Sequence, residues 1–202
     1  MPWTAITRPQ YRREGQRYAS DLSDGEGALI APYLPAPRRL GRPRTTELRD
    51  VVDALLYIAA MGCQWRMLPK DFPPYSTVQA YFYGWRDDGL WQAINHHLVM
   101  AAREVSLLAG VIDSQSVKTT ESGGIRGFDA GKKIKGRKRH VVTDTLGLLI
   151  AVMIHGTDIQ DRDGAPNLLA SIRKAFPWLR HLFADGAYPG LKLEGALANF
   201  GN

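Results

Sequence analysis

The spacing of apolar residues divides the chain into two halves with different periods. In the first half apolar positions recur every three to four residues. Leu48, Val51, Val52, Leu55, Leu56 and Ala59 form one stripe, which Thr46 can cap and Gly62 closes. Val78, Tyr81, Phe82 and Trp85 form a second, opened by Ser76 and closed by Gly89. Trp91, Ile94, Leu98 and Ala102 form a third, over residues 90–104. A shorter helix is predicted over residues 24–33, with Ser23 or Asp24 at its cap and Pro35 and Pro37 beyond its end. Pro69, Pro73 and Pro74 forbid a continuous helix between the first two stripes. Residues 1–44 are rich in Pro, Gly and Arg, and residues 38–43 read as an exposed connector. Trp65, Trp85 and Trp91 read as core of a small all-helical domain.

From Ala109 the period shortens toward two. GVIDSQSV is a short apolar run that ends in polar residues. HVVTDTLG and LLIAVMIHG are β-branched runs joined at Asp144-Thr145-Leu146-Gly147, a hairpin signal. Asp163 can cap a helix over residues 165–176, which Pro177 ends. HLFADGAY reads as another short strand, and residues 191–200 as a last helical piece. The order predicts an α+β chain: an all-helical N-terminal domain over residues 1–106, then a mixed α/β domain over residues 107–202.

Composition narrows the class. The 202 residues are 45% hydrophobic and 23% charged, the balance of a globular chain and not of a disordered one. No apolar run approaches the roughly 20 residues needed to span a bilayer. The basic N-terminus, MPWTAITRPQYRREGQR, lacks the apolar centre of a secretory signal, so the expected compartment is the cytoplasm, with no membrane partner. Cys63 is the single cysteine, which excludes an internal disulfide and thiolate-rich zinc sites; AAMGCQW makes it a small buried hydrophobe.

The net charge of +6 favours a polyanionic partner, and its distribution sharpens that reading. Residues 118–139 carry Lys118, Arg126, Lys132, Lys133, Lys135, Arg137, Lys138 and Arg139 against Glu121 and Asp129. Arg38, Arg39, Arg42, Arg44 and Arg49 form a second basic stretch, and Arg8, Arg12, Arg13 and Arg17 a third. The basic loop 132–139 is expected to neutralise phosphates without reading sequence, and Arg42 and Arg44 to do so in the helical half. Residues 76–87 could form a recognition helix, but Arg86 is its single base and Asp87-Asp88 end it, so the arginine stretch is the better contact.

Two strands share a feature. GVID and HLFAD are each apolar and place an aspartate, Asp113 or Asp185, where the apolar run stops. Side chains at strand ends line the crevice of an α/β sheet, and carboxylate oxygens suit Mg²⁺. The alternative for each is a strand-end turn, as Asp185-Gly186 would make. His155, Asp158, Asp161 and Asp163 could imitate a metal site but read as a strand exit and helix cap, with Asp161 or Asp163 accepting the first free N–H groups. The adjacent His96 and His97 diverge by about 100° on a helix and cannot both grip one ion. His140 reads as a phosphate contact or plain surface. Ser114 and Ser116 flank Asp113 without the context of a nucleophile.

The segments GVIDSQSVKTTESGG, RGFDAGKKIKGRKRHVVTDTLGLLIAV, HGTDIQDRDGAPNLL and LRHLFADGAYPG resemble the DDE transposases of bacterial insertion sequences. LSDGEGALIAPYLP, GRPRTTELRDVVDALLYIAAMGCQWRMLP and STVQAYFYGWRDDGLW are similar to the helical N-terminal domain of the same group. The resemblance runs from Leu22 to Phe200. It implies a helical DNA-binding domain followed by an RNase H-like core, with Asp113 the first acid and Asp185 the second. It implies Mg²⁺ (or Mn²⁺) in two-metal DNA cleavage and strand transfer at element ends, with the first Asp bridging both ions. The implied partners are double-stranded DNA, at element ends and target, and further copies of the chain when active. The implied setting is the bacterial nucleoid. The family's third acid is a Glu on a helix further downstream. Glu194 follows Asp185 by nine positions, too early for that role, so the core is expected to be incomplete and C-terminally truncated, with impaired strand transfer. A truncated, non-catalytic DNA-binding inhibitor is the rival reading, and a host nuclease of the same fold a weaker third.

Overall fold

A computed structural model describes residues 15–37, 40–41, 43–102, 109–119, 124–185 and Tyr188. Two compact units divide the chain, Met1–Ile94 and Asn95–Asn202. No helix among the described residues is long and apolar enough to cross a membrane.

The first unit is helical. Helix α1 (Asp24–Ile30) opens on a capping box: the Ser23 hydroxyl accepts from the Glu26 N–H, and the Glu26 carboxylate accepts from the Ser23 N–H at 2.7 Å. Helix α2 (Leu48–Met61) ends at Gly62, whose φ of 64° turns the chain left-handed while its N–H donates to the Ile58 carbonyl. Helix α3 (Tyr75–Asp87) follows Pro74, and α4 (Leu90–Ala102) follows Gly89. The caps expected from Thr46 and Ser76 do not form. α2 is preceded by Glu47 and α3 by Pro74, neither with a side-chain cap, and Ser76 lies inside α3. The predicted stripes converge on a core of Ile30, Leu48, Val51, Val52, Phe72, Val78, Trp85 and Ile94. Trp65 and Trp91 pack at its edge, as their sequence context required. Asp53, 4% exposed, is tied into this unit by the Leu22 N–H at 2.8 Å.

The second unit is a five-stranded sheet backed by a helix, which makes the chain α+β, as the change of period predicted. Its elements are β1 (Ala109–Lys118), β2 (Gly127–Asp129), β3 (Ile134–Asp144), β4 (Leu149–Gly156), α5 (Asp161–Arg173) and β5 (His181–Phe183). β1 and β3 run antiparallel, β4 pairs with the other side of β3, and β5 joins β1 in parallel. The β3–β4 hairpin turns at the residues expected: Asp144 Oδ1 accepts from the Leu146 and Leu148 N–H groups, and Gly147 takes φ 83°.

One face of the sheet is buried. Ile112, Val142 and Ile150 pack with Ala165, Leu168, Leu169 and Ile172 of α5, and Val99, Phe176 and Leu179 complete the core. β3 shows the rule most clearly, with buried residues at 136, 138, 140, 142 and 144 alternating with more open ones.

Candidate active site

Asp113 lies on the open face. On β1, Ile112 is 2% exposed while Val111 is 42% exposed, and Asp113 shares the side of Val111. The strand does not stop at the aspartate, as its apolar run suggested. β1 continues to Lys118 because β3 is long enough to pair its polar half, residue by residue, from Ser114↔His140 to Lys118↔Gly136. Asp113 is therefore a mid-strand residue, opposite Val141.

Asp185 follows β5 by two residues. The β1–β5 ladder ends at Val111↔Phe183, two residues short of each aspartate, and both acids are exposed. Val152, Ile154 and Phe183 are exposed nearby, so the acids sit on a partly apolar surface. The Ser114 N–H donates to Asp113 Oδ1 at 2.7 Å and turns that carboxylate.

Beneath the acids lies a buried polar network that the sequence did not announce. His140 is fully buried, so its reading as a phosphate contact or surface group is corrected: period two turns it inward between Lys138 and Val142. His155 Nδ1 lies 2.7 Å from the Gly156 carbonyl, which can only accept, so that nitrogen carries the proton. His155 Nε2 lies 2.7 Å from His140 Nε2, the two sharing one proton, and His140 Nδ1 lies 3.1 Å from the Tyr188 hydroxyl. α5 crosses this pair at Gly164, where a β-carbon would stand 2.6 Å from both imidazoles. The Ser114 hydroxyl bonds to both Tyr188 and Asp161.

Burial above all, and then His155, pulls the His140 imidazole down to about 4. Burial also pushes the Tyr188 hydroxyl up, and the negative charges of Asp161, Asp113 and Asp185 act in the same sense. Both candidate acids are thus close enough to be felt at one phenol. For His140, with Tyr188, His155, Lys138, Asp161 and Asp113 around it, the unfolded chain takes up a proton before the folded one. The cost from His140 should grow as pH drops from about 6.5 to about 4 and stay constant below, where protonation of the low-titrating Asp161 continues the decline. Urea unfolding at pH 7, 5.5 and 4 checks this, and His140→Asn should flatten the decline.

The basic residues divide by parity. Residues 132–139 are not one loop, because β3 begins at Ile134. Lys132 and Lys133 are exposed before the strand, and Lys135 and Arg139 are exposed on the Asp113 side. Arg137, half-buried, shares that side and donates to the Ile125 carbonyl, while Arg139 Nε donates to Gln115 Oε1 at 2.7 Å. Lys138 faces the other way. It is 4% exposed, with its ammonium 2.9 Å from Asp161 and 2.8 Å from the Ile159 carbonyl, so it is no phosphate contact. Asp161 accordingly caps nothing: α5 starts after Gln160 without a side-chain cap, and Asp161 turns to Lys138. Its carboxyl is held low by Lys138, Ser114 and His140 in spite of its burial.

In the helical unit Arg44 lines a cavity of about 890 Å³ along α3, and its guanidinium donates to the Pro35 carbonyl. Arg17 binds Asp50 at 2.7 Å and Arg49 binds Asp24 at 2.8 Å, so both serve the fold. Arg8, Arg12, Arg13, Arg38, Arg39, Arg42 and Glu194 lie outside the described residues.

Comparison with known proteins agrees with this layout. Residues 22–95 match the family described as "Putative transposase of IS4/5 family". Residues 105–201 match the family described as "Transposase DDE domain". An uncharacterized protein, y4sN, of Sinorhizobium fredii (strain NBRC 101917 / NGR234) is 30% identical over 112 residues, 55% of this chain and 87% of that protein. No solved structure matches. Two adjoining transposase matches over a helical unit and a sheet unit leave one assignment: the chain belongs to the DDE transposases of the IS4/5 type.

Proposed function

We propose that the chain carries the acidic pair of a divalent-metal site for DNA cleavage and strand transfer at insertion-sequence ends. Two exposed aspartates beside neighbouring strands, Asp113 on β1 and Asp185 two residues past β5, are the observation that supports it. The donor set fits the group: two carboxylates are hard oxygen ligands, as Mg²⁺ or Mn²⁺ requires, and the described residues offer no competing cluster of three His, Cys, Asp or Glu. When bound, the ion supplies Lewis acidity at the scissile phosphate and a water or 3′-hydroxyl that ionises readily. Asp113 and Asp185 would hold it. Lys132, Lys133, Lys135, Arg137 and Arg139 would receive the phosphates of double-stranded DNA, at element end and target, along the same face. Residues 1–106 act as the helical DNA-binding domain, Arg42 and Arg44 included, and residues 107–202 as the catalytic core. Two element ends call for more than one copy of the chain, in the bacterial nucleoid.

A second reading, DNA binding without cleavage and hence inhibition of an active transposase, is favoured by one observation: the described residues hold no group of three His, Cys, Asp or Glu that could ligate an ion. Labelled element-end DNA with Mg²⁺ separates the two. Nicking supports the enzyme, whereas binding without nicking leaves the inhibitor. Under either reading affinity should fall steeply with salt, and Lys132→Ala should reduce the log–log slope by about 0.9. An affinity indifferent to salt would remove DNA as the partner.

A further inference from the structure

The backbone ladder does not reach the acidic pair. β5 pairs with β1 through Ala109↔His181, Gly110↔Leu182 and Val111↔Phe183, and both aspartates lie beyond the last of these. A metal site needs its ligands held within a fraction of an ångström, so something past the ladder must set the spacing. Tyr188 is placed to do this. Its N–H donates to the Asp185 carbonyl at 3.2 Å, which ties it to the second acid. Its side chain is 1% exposed, and its hydroxyl reaches two strands at once, His140 of β3 and Ser114 of β1. His140 is the register partner of Ser114, and the Ser114 N–H binds the Asp113 carboxylate.

The anchor itself is rigid. Tyr188, His140, His155 and the Gly156 carbonyl form one buried hydrogen-bonded chain, and breaking any of its contacts would leave a buried polar group without that partner. Gly164 lets α5 close over the imidazole pair, since a β-carbon there would stand 2.6 Å from each. We propose that Tyr188, with Ser114 and the His140–His155 pair, is a positioning device that fixes Asp185 against Asp113. The role rests on the metal-site reading above. None of the four touches substrate; each acts through an aspartate.

The test uses the full chain with Tyr188→Phe and two variants of the anchor. Mn²⁺ titration followed by electron paramagnetic resonance should show Tyr188→Phe weakening the ion about 10- to 100-fold. In Mg²⁺-dependent nicking the metal concentration for half-maximal rate should rise, with a smaller change in the maximal rate. Amide exchange of the metal-free protein should quicken around Asp185, while the protection of β3 stays unchanged. His140→Asn, which keeps an acceptor for the phenol, should retain most of the Mn²⁺ affinity that His140→Leu loses. A Tyr188→Phe protein that binds Mn²⁺ and exchanges like the wild type overturns the proposal. So does one that merely melts earlier with metal affinity intact. If the wild type binds no Mn²⁺, the acidic-pair reading fails on its own, and the exchange arm still decides whether Tyr188 holds the strand end.

Discussion

Replacing Lys138 by methionine is expected to cost about 3–5 kcal/mol of folding stability, far beyond a surface charge. The reason is the partner left behind. Asp161 would remain buried with no cation, and the Ile159 carbonyl would lose its donor. An unpaired buried carboxylate costs more than the ion pair contributes, so the double variant Lys138→Met/Asp161→Leu should regain most of the loss. Urea unfolding of the three proteins measures the coupling. A single variant within about 0.5 kcal/mol of the wild type, the usual effect of an exposed substitution, would return Lys138 to the surface.

The second large effect is chemical. Asp113→Asn or Asp185→Asn should lower Mg²⁺-dependent nicking on the order of 10³-fold, since metal stabilisation of the reacting oxygens is worth several kcal/mol and each 1.36 kcal/mol is tenfold. Both side chains are exposed, so the folded state should change by no more than about 0.5 kcal/mol. Asp144 makes the contrast. It is 2% exposed and binds the hairpin N–H groups, so Asp144→Asn should unfold more easily yet nick normally when folded. Nicking that survives at either Asp113 or Asp185 while failing at Asp144 would reverse the assignment.

What could be read from the sequence was whatever a local rule governs. Helical stripes, the Asp144–Gly147 turn and the acids on apolar strands each declare themselves within a few residues. The basic segment did not, because its meaning depends on where β3 begins. Read as a loop, residues 132–139 are eight equivalent positions. Read as a strand from Ile134, they alternate, and Lys138 and His140 turn inward while Lys135, Arg137 and Arg139 stay with Asp113. The full period-two pattern, through Val142 and Asp144, is present in the residues, but the charges masked it. Tyr188 was harder still. Nothing local marks a phenol after Asp185 as the partner of a histidine 48 positions earlier, and only the sheet brings them together. The same holds for Gly164, whose lack of a side chain matters only because two imidazoles lie beneath it.

The central claim is that Asp113 and Asp185 share a divalent ion, and direct binding tests it without DNA. Electron paramagnetic resonance of the full chain titrated with Mn²⁺ should reveal bound ion that Mg²⁺ displaces. Asp113→Asn and Asp185→Asn should each abolish that signal while melting like the wild type. Mn²⁺ bound equally well by wild type and both variants, or by none of them, would contradict the account.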